Sequence, residues 1–177
     1  MVVTKLFLML LKRGFEVVTN NYYAMLTATC LNKTVNCKNV NGQDSILGGS
    51  YSTSYAGSVV NTQSSLDANG NDAPSYSIFV GSGNAPTTLD TYKLDNEVAL
   101  LASDVTISVN SISNAAKSGL FVLSRLFTNT GDSQVSISEA VLTMNSKNRN
   151  NVVLAREVFE PVILNPGEFI SIHIKVM

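Results

Sequence analysis

The chain has 177 residues, enough for one domain with a sizeable core or one domain with an appendage. It is 45% hydrophobic but only 14% charged, with Ser, Thr, Asn and Gly standing where Lys and Glu usually do. Such a surface suits a mainly β protein resting against neighbours, and equally an ordinary low-charge β-domain. The net charge of −1 argues against a dedicated nucleic-acid binder, which would carry a basic stripe.

At the N-terminal side, "MVVTKLFLMLLKRGF" holds an apolar run from Leu6 to Leu11, between Lys5 and Lys12-Arg13. It is shorter than the ~7–15 residues of a secretory core and the ~20 of a membrane span. Leu6, Met9, Leu10 and Arg13 fall at helical spacing, which predicts a short amphipathic helix. "NNYYAML" is a second apolar cluster; Asn20 or Asn21 is placed to cap a helix there. Its Tyr22, Tyr23, Met25 and Leu26 are too apolar for water and are expected to pack on the body or on a partner. Lys5, Lys12, Arg13, Lys33 and Lys38 face the single acid Glu16 in this zone. Residues 1–40 thus read as a helical docking arm, with a solvated helix face as the plainer account. Cys30 and Cys37 are neither a disulfide framework nor a zinc pair, and are expected as free thiols of a reducing compartment.

Residues 41–75 are rich in Gly, Ser, Asn and Asp. Asn41-Gly42 and Asn69-Gly70 signal turns, and Ile46-Leu47 and Val59-Val60 are brief apolar touches. Long loops with one or two short strands are expected.

From residue 76 the pattern is β. Strands are predicted at 76–80, 105–109, 120–127, 135–142, 152–159 and 169–176, each short and rich in β-branched or aromatic residues. Turn chemistry separates them: Gly81-Ser82-Gly83-Asn84, Asn129-Thr130-Gly131-Asp132, "NSKNRNN" at 145–151, and Asn165-Pro166-Gly167. With no helical pattern between most of them, an antiparallel β-sandwich over 76–177 is expected, jelly-roll or immunoglobulin-like. In the last strand Ile170, Ile172, Ile174 and Val176 alternate with Phe169, Ser171, His173 and Lys175, placing the first set in the core.

The residues that bear chemistry do not assemble into a known catalytic pattern. Glu139 interrupts the apolar face formed by Val135, Ile137 and Val141; Arg125 and Arg156 are the candidate partners for a structural ion pair. His173 has no second ligand and no nucleophile motif beside it, and is expected to face solvent or a neighbouring subunit. "GSGNAP" lacks the spacing of a phosphate loop and reads as a turn. Asp90, Asp95, Glu97 and Asp104 do not follow a calcium-loop pattern. Asn32-Lys33-Thr34 is a glycosylation sequon without a leader to give it meaning. No catalytic, cofactor-binding or metal-binding residue is expected, and an enzyme is not.

Over residues 76–177 the order of elements resembles a family of tailed-bacteriophage virion structural proteins. "YSIFVGSGNAPTTLDTYKL" is followed by "FTNTGD", "VSISEAVL", "VVLAREVF", "PVILNPGE" and a last strand, in the order of that family's pattern. One departure stands at Ala140-Val141, where the family often has Gly. The resemblance implies a β-sandwich in a head-decoration, fibre-base, collar or tail-associated role, without enzymatic activity. It implies partners among other virion proteins and copies of itself, with no nucleic acid, membrane or small-molecule substrate. It places the chain in the virion after folding in the host cytoplasm. The competing reading is a carbohydrate- or receptor-binding β-module, with Tyr51, Tyr55, Tyr76 and Tyr92 as stacking surfaces.

Overall fold

The computed structural model describes residues 4–11, 18–31, 33–47, 65–66, 72–73, 76–113, 118–145 and 151–176. Along the chain these form β1 (Thr4–Leu11), α1 (Asn20–Leu31), β2 (Val35–Lys38), β3 (Asp44–Leu47), β4 (Ser65–Leu66), β5 (Asp72–Ala73) and β6 (Tyr76–Gly81). Then follow β7 (Leu101–Ala102), β8 (Thr106–Ser113), β9 (Ser118–Thr128), β10 (Val135–Asn145), β11 (Asn151–Leu164) and β12 (Phe169–Val176). The protein is mainly β. A five-stranded sheet runs β1-β12-β9-β7, with β8 also on β9, and a three-stranded sheet runs β11-β10-β6. The pairs β2-β3 and β4-β5 are separate, and every pairing except β1 with β12 is antiparallel.

One apolar core serves both larger sheets. Ile170, Ile172 and Ile174 of β12 and Leu123 and Phe127 of β9 meet Ile78 and Val80 of β6, Ala140 and Leu142 of β10, and Leu154 of β11. The three isoleucines are wholly buried, as the alternation of the last strand requires. The side chain of Val176 lies outside the described residues.

The start of the chain corrects one expectation. Residues 4–11 form a strand, not an amphipathic helix, and run parallel to β12 from Thr4↔Phe169 to Leu11↔Val176. An unbroken apolar run satisfies a strand as readily as a helix, and here β12 offers an open edge to pair with. The helix of this zone is α1, and Asn20 and Asn21 do not cap it as expected. Both lie inside its first turn, with side chains turned to Asp90 and to the backbone of Lys38. Met25, Ala28 and Cys37, all within the expected docking arm, belong to the same core cluster as the β-body. The core therefore crosses residue 40. Deleting residues 1–40 is expected to leave the remainder insoluble or unfolded, as light scattering and circular dichroism of the purified fragment would show.

Two turns are built by buried asparagines. Asn39 accepts hydrogen bonds at Oδ1 from the N–H groups of Asn41 (2.9 Å) and Gln43 (3.0 Å), closing the β2-β3 hairpin over Gly42 at φ 75°. Asn129 donates to the carbonyls of Ser133 (2.8 Å) and Leu164 (3.0 Å) and accepts from Gly131 N–H (3.1 Å). That second turn is tied to the last one, since Gly167 N–H donates to Asn129 O at 2.7 Å. Pro166 followed by Gly167 at φ 79° is the type II arrangement. The valine pair Val59-Val60, the turn Asn69-Gly70 and residues 146–150 of "NSKNRNN" lie outside the described residues.

A bulge changes the reading of β10. Between Ile137↔Val162 and Glu139↔Val158, Phe159, Glu160 and Pro161 of β11 stand opposite Ser138 alone. Proline lacks the N–H a ladder needs, so its place is a bulge. The core face of β10 switches there, from Val135 and Ile137 to Ala140 and Leu142, while Val141 packs with Leu94 and Val153 on the opposite side. Glu139 therefore does not interrupt the core face. It sits on the other one.

Candidate functional site

Glu139 is wholly buried and fully satisfied. Its Oε1 accepts from the N–H of Gly83 (2.8 Å) and Asn96 (3.0 Å), and its Oε2 from Asp95 N–H (3.2 Å) and Arg156 Nε (2.8 Å). Arg156 extends the network, donating through Nη1 to Ala85 O (2.8 Å) and through Nη2 to Asp95 Oδ2 (2.6 Å). Of the two bases considered in the sequence, Arg156 is the partner. A carboxylate with four donors and no exposed atom is a fastening: it ties the 82–97 loop to the outer face of β10 and β11.

The "VGSG" stretch follows from this network. A Cβ on Gly81 would come within 2.5 Å of Asn96 O, and one on Gly83 within 2.5 Å of Glu139 Oε1. Both glycines are needed for close approach of the loop to the carboxylate. Gly83→Ala is expected to cost about 1–3 kcal/mol by overpacking, read from the midpoint of urea unfolding.

Arg125 has a different task. It projects from the core face of β9 and reaches the other sheet, donating through Nη1 to Ser77 Oγ and Ile78 O, each at 2.7 Å. Its Nε donates to Ser103 O at 2.8 Å, and the rings of Phe79 and Phe127 each lie 5.5 Å from its guanidinium carbon. Burial pushes its pKa below the ordinary value, partly offset by Asp104.

His173 is half-buried between two hydroxyls, Ser124 Oγ at Nδ1 and Ser171 Oγ at Nε2, both 2.9 Å. It lies on the outer face, as the alternation predicts, with its ring held in place. Among the described residues no group of three His, Cys, Asp or Glu side chains is placed to hold a metal ion. Asp95 pairs with Arg156, and Asp90 accepts from Asn20 through Oδ1. Cys37 is a buried free thiol whose pKa is raised, chiefly by burial, while the side chain of Cys30 lies outside the described residues. Among the described residues no helix is long and apolar enough to cross a membrane.

Glu157, which the sequence did not single out, is half-buried, and its enclosed Oε2 has no hydrogen-bond partner among the described residues. Burial raises its carboxyl above the ordinary 4.5. The folded state holds this proton more tightly than the unfolded one, so the group's stabilising contribution is complete below pH 4.5 and is lost as pH rises through the raised value. Glu157→Gln is accordingly expected to be more stable than the natural chain at pH 7, with the gap closing by about pH 4. Urea unfolding of both proteins across that range measures it.

A cleft of about 440 Å³ opens where the start of α1, the β2-β3 hairpin and the 89–92 loop converge. Asn20, Asn36, Lys38, Asp44, Asp90 and Tyr92 stand in its walls. Asn20 Nδ2 donates to Asp90 Oδ1 at 2.8 Å, and Lys38 Nζ pairs with Asp44 Oδ1 at 3.2 Å. Asn21 bonds the backbone of Lys38 twice, donating to its carbonyl at 2.8 Å and accepting from its N–H at 3.1 Å. Asn20 N–H donates to Leu89 O at 2.7 Å, so all three walls are joined. Of the tyrosines considered for stacking, Tyr92 lines this cleft and Tyr76 lies in β6; Tyr51 and Tyr55 are outside the described residues. No protein-family model, no curated protein and no solved structure matches the chain.

Proposed function

We propose that the chain is a non-enzymatic structural component of a tailed-phage particle, with its two larger sheets as the layers of a β-sandwich. Its work is to supply contact area in the head, neck or tail, against other virion proteins and copies of itself. The observation that carries this reading is the outer face of the five-stranded sheet. Leu101 is 62% exposed and Leu126 37% exposed, and both share a face with half-buried Phe169, across β7, β9 and β12. Single exposed apolar residues are ordinary, but neighbours on one sheet face make a contact patch. The low charge of the chain and the motif order over 76–177 support the same reading. Symmetric particles use one patch many times, so a regular array is expected.

Mass spectrometry of purified particles from cells making the chain tests this: stoichiometric incorporation is expected, and its absence from the particle overturns the reading. The double variant Leu101→Asp/Leu126→Asp should fold normally and fail to incorporate.

A further inference from the structure

We propose that the cleft between α1, the β2-β3 hairpin and the 89–92 loop binds a neutral saccharide. This goes beyond the assembly reading and stands whether or not the chain is built into a particle. The volume of about 440 Å³ lies within the ~300–1,000 Å³ range of small-molecule sites. Its charge balance selects the ligand class. Lys38 is neutralised by Asp44, which leaves Asp90 as the uncompensated charge of the walls. A cleft of slight negative charge disfavours phosphates and carboxylates. Most of the lining surface is apolar, but the amides and carboxylates set among it would lose water to a wholly apolar ligand that replaces none of their hydrogen bonds.

What remains is a ligand that brings many uncharged hydroxyls and some C–H surface. The open valences match it. The Asn36 side chain has no partner among the described residues and offers both a donor and an acceptor. Asp90 uses Oδ1 for Asn20, which leaves Oδ2 to accept. Adjacent hydroxyls of a sugar ring, each both donor and acceptor, can answer such a set. Leu89, 43% exposed, and half-buried Tyr92 supply apolar surface beside these groups. The Tyr92 ring lies close against the hairpin, 3.2 Å from where a Cβ on Gly42 would stand. The walls are already tied to one another, so binding costs little ordering of the protein.

The full chain, fluorescently labelled, is applied to a printed array of neutral and acidic mono- and oligosaccharides, and hits are titrated calorimetrically. Binding of one or more neutral saccharides with Kd between about 1 μM and 10 mM is expected. Asn36→Ala and Asp90→Ala are each expected to weaken it at least about tenfold. Both positions are exposed, and circular dichroism checks that the variants keep the fold. The proposal is overturned if no neutral saccharide binds below about 10 mM, if only acidic glycans bind, or if both variants bind as the natural chain does. The Leu101→Asp/Leu126→Asp protein should bind the same saccharide unchanged, which separates failure of this site from failure of the assembly patch.

Discussion

Glu139→Ala is expected to destabilise the protein by about 3–5 kcal/mol, the range for breaking a buried ion pair from one side. Two losses combine. Arg156, 1% exposed, keeps only Asp95 as a counter-charge, and that partner's side chain is 38% exposed. The N–H groups of Gly83, Asp95 and Asn96 lose their acceptor. Replacing both ions with apolar residues often restores stability elsewhere. Here Glu139→Leu/Arg156→Leu should remain destabilised, because the backbone donors stay orphaned. Urea unfolding of the single and double variants distinguishes the two contributions. Recovery in the double variant would mean that the loop's N–H groups find water, and that the ion pair alone fastened it.

Ile172→Asp should abolish folding. Ile172 is wholly buried in the core, paired through its backbone with Phe7 on one side and Arg125 on the other. Removing the side chain forfeits about 1.5–3 kcal/mol of burial, and an unpaired buried carboxylate adds several more. Together these rival the whole ~5–15 kcal/mol stability of a typical domain. Arg125 is close in register, yet its guanidinium is committed to Ser77, Ile78 and Ser103 and is not free to rescue the acid. The expected result is loss of soluble protein and of the amide dispersion seen by NMR. A soluble, cooperative variant would show that β12 tolerates solvent at its centre.

Six of the strands from residue 76 onward were legible because alternation and turn residues are local signals; the two-residue β7, Leu101–Ala102, was not among those expected. Phe169 to Val176 was recovered with both ends correct. Three features were not legible, each for a reason of the third dimension. The apolar run at Leu6 to Leu11 lacks a period that would separate strand from helix, and its partner β12 lies at the far end of the sequence. The choice between Arg125 and Arg156 for Glu139 depends on which way each side chain faces, which the bulge opposite Ser138 decides. Pro161 was the available hint of that bulge. The cleft joins residues read separately, with Asn20 as a cap, Asp90 as a loop acid and Tyr92 as a ring. Only the docking of the 89–92 loop on α1 brings them together.

The parallel pairing of β1 with β12 also imposes an order on synthesis. During translation Leu6 to Leu11 are made well before Phe169 to Val176, the strand they pair with. Contacts so distant in sequence form slowly, and an apolar segment waiting for its partner is open to aggregation meanwhile. Lys5 on one side and Lys12-Arg13 on the other flank this run as charges that oppose stacking between nascent chains. Basic residues in these places are expected to keep the segment in solution until its partner strand is made.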